Sequence, residues 1–230
     1  MWMAAEWWLE TDLDKMKTKR IGIIGTGNVG GALGLGLARA GYPVIFGERK
    51  SGQITKLLEA APDARSVPIS ELAGESDILI LATPWTAAES AVRSVGDVEG
   101  KVLIDAVNPI LMGGPEELGR GLLIGHTTSA AEEVASWVPD ARVVKCFNTL
   151  GAQHLGDGRL GQNRMPMFLC GDDADAKGVV TAIVRDLGFE PADAGPLRIA
   201  RLLEPMAMLW IHLAYGMAWG PDFAFGIFRP

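Results

Sequence analysis

The chain has 230 residues, a net charge of −7 and a pI near 5.0, with 48% hydrophobic and 21% charged residues. This is the balance of a globular protein with ample chain for a large core, and its acidity excludes electrostatic binding of nucleic acid. Cys146 and Cys170 are the only cysteines and both sit in apolar runs, so two reduced core thiols in a cytoplasmic protein are expected rather than a disulfide.

Residues 1–18 form an N-terminal extension, MWMAAEWWLETDLDKMKT. It contains neither a signal peptide nor a membrane span, because Glu6, Glu10, Asp12 and Asp14 interrupt its apolar residues. Trp2, Trp7, Trp8 and Leu9 form a stripe that either packs on the body or a partner, or belongs to a partly disordered extension. Met16 is an alternative start.

From Lys19 the chain reads as strand, Gly-rich turn, helix, strand. The apolar run Ile21–Ile24 leads into Gly25-Thr26-Gly27-Asn28-Val29-Gly30, then a small-residue helical pattern over 28–40 and a β-rich run over 43–47. In that context G-x-G-x-x-G predicts a dinucleotide site. Gly25 makes the sharp turn, Gly27 admits a pyrophosphate, and Gly30 lets the helix sit close to the strand. The helix N-terminus faces the phosphates with unpaired N–H groups.

Further strands are expected near 77–82, 101–106, 142–147, 167–170 and 190–193, with helical patterns near 51–61, 85–95, 129–137 and 174–187. The alternation predicts an α/β fold, a Rossmann-type doubly wound and mostly parallel sheet over 19–194. Ser129-Ala130-Ala131-Glu132 reads as a capping box. After Gly195-Pro196 a helical segment from Leu197 to about Tyr215 and an aromatic tail form a short C-terminal helical lobe, 195–230. Arg201, Glu204, Pro205 and His212 argue against a membrane span there. This segment is apolar on more than one face, which predicts a homodimer in which it shapes both the interface and the substrate cleft.

Ligands of such sheets sit at the carboxyl ends of the strands. Four groups fall there: Glu48-Arg49-Lys50, Thr83-Pro84-Trp85, Asn108-Pro109 and Asn148-Thr149. Asn108 and Asn148 suit a ribose or a carboxamide, although each alone also serves as a turn residue. No metal-spaced cluster or nucleophile motif is present. His126, His154 and His212 are the only histidines. His154, close behind Asn148, is the candidate catalytic residue if a proton donor is needed.

These residues resemble the NADP-dependent reductases of coenzyme F-420, with the reductase domain of the STEAP metalloreductases a more distant cousin. The resemblance rests on the Gly-rich turn, Thr83-Pro84-Trp85, Val144 to Gly151, Gly171-Asp172-Asp173 and Asp193 to Glu204. It implies a hydride-transferring oxidoreductase with NADP in place and coenzyme F-420 or another small planar redox acceptor as co-substrate. It also implies that Thr26, Asn28 and Val29 hold the phosphates and that the pair after the second strand clasps the 2′-phosphate. This chain carries Glu48-Arg49 where the family has Ser-Arg. A carboxylate there suits the ribose of NAD, while Arg49 and Lys50 favour NADP. Reduction of a small imine, ketone or flavin-bound metal, or non-catalytic sensing of NAD(P), are the other readings of the same fold.

Overall fold

The computed structural model describes residues 16–49, 54–111 and 121–228. Apolar four- and five-residue runs form the centre. They are β1 (Ile21–Ile24), followed by α1 (Asn28–Arg39), β2 (Val44–Glu48) and α2 (Thr55–Ala60). Next come β3 (Arg65–Pro68), α3 (Leu72–Glu75), β4 (Ile78–Leu81) and α4 (Trp85–Arg93). The chain continues through β5 (Val102–Asp105), α5 (Ala130–Trp137), β6 (Arg142–Cys146), the hairpin β7 (Arg159–Leu160) and β8 (Asn163–Arg164), and β9 (Pro166–Gly171). It closes with α6 (Ala174–Asp186), β10 (Glu190–Asp193) and α7 (Ala200–Ile211), the last entered by a 3-10 turn at Leu197–Ile199 and prolonged by a π turn, His212–Gly216. The helix expected over 51–61 is described only as α2.

The main sheet runs β10-β9-β6-β5-β4-β1-β2-β3. Its first six strands are parallel in the order 3-2-1-4-5-6 of a doubly wound nucleotide-binding sheet. β9 then pairs antiparallel to β6, and β10 runs parallel to β9. β1, β4 and β5 are buried on both faces, which explains their continuous apolar sequence. One face packs Ile21, Ile23, Phe46 and Ile80 against α1 and α6. The other packs Ile24, Leu79, Leu81 and Leu103 against α3, α4, α5 and the start of α7. Cys146 and Cys170 are buried free thiols, and burial pushes Cys170 up to about 12.

Ser129 caps α5: its hydroxyl accepts from the Glu132 N–H at 3.2 Å and donates to the Glu132 carboxylate at 2.8 Å. Glu132 also takes the Arg201 guanidinium at 2.6 and 2.8 Å, pinning α5 to α7. The tail folds back on α7. The Trp210 indole N–H donates to Phe223 O at 2.9 Å, and Gln153 and His154 bind Pro221 and Asp222. No helix among the described residues is long and apolar enough to cross a membrane.

Candidate functional site

The turn after β1 is built as the glycine spacing demands. Gly25 has φ 99°, and a Cβ there would lie 2.5 Å from Ala82 O; a Cβ on Gly30 would overlap Gly25 O. These two glycines bring α1 against β1 and the end of β4. Gly27 is different. It is the exposed N-cap of α1, gives that helix no side-chain cap, and an added Cβ would meet nothing within 4 Å. The first amides of α1 therefore face open space with their dipole end outward.

That space is a cleft of about 680 Å³ at the carboxyl ends of β1, β2 and β4. Gly25, Thr26, Gly27, Gly47, Arg49, Thr83 and Pro84 line it, with Ala87, Ser90, Ala91 and Ser94 of α4. Thr83 Oγ1 is buried with no hydrogen-bond partner among the described residues, as a group awaiting a ligand would be. An uncapped helix N-terminus, an open glycine and a guanidinium fit a dinucleotide phosphate. Asn28 stands exposed at the mouth, while Val29 packs part-buried on the core. Strand side chains alternate, so Glu48 stands on the face of β2 opposite Gly47, and it does not line the cleft. Lys50 lies outside the described residues.

Four other expected residues take up places apart from this cleft. Trp85 opens α4 but turns away to stack on Trp137, with ring centroids 5.2 Å apart, because the apolar face of α5 offers it cover. Asn108 and Asn148 join the ends of β5 and β6 to each other. Asn108 Nδ2 donates to Asn148 O at 2.9 Å, and Asn148 Nδ2 donates to Asn108 Oδ1 at 3.0 Å. Phe147, just before Asn148, adopts φ 63°, a conformation costly for a bulky residue. Asn148 Oδ1 remains buried without a partner among the described residues. His154 lines neither cleft. It pairs with Asp222 of the tail at 3.1 Å, and its 3-10 turn packs on α1.

A second cleft, about 660 Å³, lies between Gly121–His126 and α7, where Pro205, Met208, Leu209 and His212 form its wall. Both sides are tied to the asparagine pair. The Leu123 N–H donates to Pro109 O at 2.7 Å, and Leu203 O accepts from Asn148 Nδ2 at 3.2 Å. The lining is apolar apart from the two imidazoles.

Behind this wall is a buried charge cluster that pattern reading passes over. Asp105 and Lys145 are paired neighbours on β5 and β6 and point to the α5–α7 face. The Lys145 ammonium donates to Asp105 Oδ2 at 2.9 Å, lies 2.9 Å from Glu204 Oε1 of α7, and also donates to Val107 O. Glu204 accepts the Ala130 and Ala131 N–H groups at 2.9 and 3.2 Å, and Asp105 Oδ1 accepts the Val107 N–H. Burial alone would lower the Lys145 pKa, but Asp105 and Glu204 outweigh it and hold the ammonium charged. Burial pushes Glu204 up; every group facing it donates, so the hydrogen bonds require its ionised form. A lysine inside an apolar strand was the available signal, since lysine is almost never fully buried unless paired.

The model of the family described as NADP oxidoreductase, coenzyme F420-dependent, matches residues 20–109. The F420-dependent NADP reductase of Methanothermobacter marburgensis is 33% identical over 203 residues, covering 82% of this chain and 89% of that protein. The metalloreductase STEAP3 of Rattus norvegicus is 32% identical over 190 residues, and this chain spans 36% of its length. A solved structure from Arthrobacter sp. FB24, described as a candidate F420-dependent NADP reductase, superposes with a TM-score of 0.83 at 28% identity. It covers 92% of this chain and 100% of that one.

Proposed function

The chain belongs to the family of F420-dependent NADP reductases, and from that premise we propose that it moves a hydride between NADP(H) in the first cleft and a planar redox acceptor, such as coenzyme F-420, in the second. The observation that carries this reading is the placement of the two clefts. Both open at the carboxyl edge of one parallel sheet, with the Asn108–Asn148 pair beside the second.

In this reading Thr26, Gly27, Asn28 and Val29 hold the pyrophosphate at the start of α1, Arg49 takes the 2′-phosphate, and Thr83 and Pro84 flank the nucleotide. Asn108 and Asn148 stand at the nicotinamide end, where the unpartnered Asn148 Oδ1 accepts a carboxamide N–H. When bound, the nicotinamide supplies a hydride with its electron pair. The protein's part is to orient two flat rings and exclude water, which needs no side-chain nucleophile. His126 and His212 supply the proton donors a small imine or ketone would need.

The domain limits follow: an N-terminal extension over 1–18, the dinucleotide-binding domain over 19–194 and the acceptor and interface lobe over 195–230. Leu202, Tyr215, Trp219 and Phe228 of that lobe are exposed, an apolar surface that a second copy would cover. We place the homodimer in the cytoplasm, where its two buried thiols stay reduced. Steady-state oxidation of NADPH against coenzyme F-420, free flavin, and a panel of imines and ketones tests the assignment. Turnover with F-420 supports it; turnover confined to the carbonyl panel redirects it to the second class of acceptor.

A further inference from the structure

We infer that Lys145 and Glu204 are positioning residues for the reaction: their buried ion pair sets the height and rotation of α7, and so fixes the wall of the second cleft against the Asn108–Asn148 edge. The inference rests on the reading of that cleft as the acceptor site.

The geometry is specific. α7 is attached to the sheet edge at two successive residues, Leu203 through Asn148 Nδ2 and Glu204 through the Lys145 ammonium. Those two anchors come from one short segment, since Lys145 and Asn148 are three residues apart at the end of β6. The next residue, Pro205, is the first of the cleft wall. It lacks an N–H and so leaves the helix without one of its own bonds at that point. The local helix is thus held by the sheet where its internal ladder is weakest. Met208, Leu209 and His212 follow within two turns and inherit whatever rotation the anchors impose, about 100° for each residue of slip.

The cluster leaves nothing unsatisfied. Lys145 meets three acceptors, and both oxygens of Asp105 and of Glu204 are used. A buried ion pair is a poor device for stability alone, because well-packed apolar residues often do as well. What it adds is direction: oxygen and nitrogen must meet at one distance and one angle, whereas leucines slide. The same Glu204 carboxylate caps the start of α5, so α5, α7 and the sheet share one reference point.

The test uses the full chain with Glu204→Gln, which keeps size and packing, beside Phe189→Leu in the opposite face of the core as a control for general destabilisation. Dissociation constants for NADP and for coenzyme F-420, each titrated alone, are read with the melting temperature. Expected for Glu204→Gln is F-420 binding weakened about tenfold as the released wall of the second cleft shifts, with NADP affinity kept. Phe189→Leu should lower the melting temperature and leave the ratio of the two constants unmoved. If both variants lose stability and neither moves the ratio, the pair is structural only and the inference is overturned. Met208→Trp, which fills the cleft, separates the two ideas. F-420 lost in Met208→Trp but retained in Glu204→Gln overturns the positioning role alone. F-420 retained in Met208→Trp overturns the reading of the cleft beneath it.

Discussion

Replacing Gly27 by valine should separate cofactor binding from folding. Gly27 is exposed, its φ of −77° and ψ of −162° suit a β-branched residue, and a Cβ there meets nothing within 4 Å. The cost to the fold is that of a poorer N-cap, about 1 kcal/mol, or about 2–4 °C in melting temperature for a chain of this size. Binding should suffer far more, because the branched side chain fills the approach to the first amides of α1. Two charge-assisted hydrogen bonds at about 1.5–3 kcal/mol each correspond to about a hundredfold or greater loss of NADP affinity. Gly30→Ala should do the reverse. Its Cβ would overlap Gly25 O, a backbone atom that cannot rotate aside, so overpacking costs about 1–3 kcal/mol or more and appears as a fall in melting temperature. Isothermal titration with NADP and thermal unfolding, run on the same samples, read both quantities. A folded Gly27→Val protein with parental affinity would refute a pyrophosphate placed over α1. An unchanged melting temperature in Gly30→Ala would refute the close approach of helix and strand.

Arg49→Ala should weaken NADP about tenfold more than NAD, since one charge-assisted contact to the 2′-phosphate is lost; Glu48→Ser, on the opposite face of β2, should move that ratio less, and the two dissociation constants for each variant decide. Hydrogen bonds from the Arg201 guanidinium hold the Glu132 carboxyl below its ordinary value of 4.5, so the stability it contributes is present above that value and lost as pH falls through the depressed one. Glu132→Gln should flatten that acid limb of the stability profile in urea titrations, and an unaltered limb would show the bridge to be without weight. Light scattering at micromolar concentration should give a dimer mass, and Leu202→Glu, a change at an exposed residue outside both clefts, should give the monomer.

The nucleotide half of the molecule was legible because its signals are local. The Gly-rich turn, the two-faced strands and the Ser129 cap each depend on residues within a few positions of one another. What escaped depends on distance. β3 reads Arg-Ser-Val-Pro, half exposed at the sheet edge, so no apolar run marks it. The reversal of β9 has no signature in a strand buried as deeply as its parallel neighbours. Trp85 and His154 were assigned to the ligand edge by their position after a strand. Their partners, Trp137 and Asp222, lie 52 and 68 residues onward, and such contacts decide where a side chain turns. Lys145 shows the same limit, since its partner Glu204 is 59 residues away.

The reversed strand has an architectural result. Because β9 and β10 run against the first six strands, the chain leaves the sheet at the amino edge, where Gly195 O accepts from the Gly171 N–H. α7 then starts below the ligand edge, and its fourth and fifth residues, Leu203 and Glu204, already meet Asn148 and Lys145 at the carboxyl end of β6. The helix is thereby divided at Glu204 into a lower part that leads up from the amino edge and an upper part that walls the second cleft, the proposed acceptor site. The first cleft stays unchanged while acceptors proposed for the second are matched by side chains beyond Glu204. A residue inserted below it would instead turn the whole upper wall by about 100° and lift it 1.5 Å. Drift in acceptor preference should therefore proceed by substitution in Met208, Leu209 and His212, and length changes should be confined to the segment after Gly216.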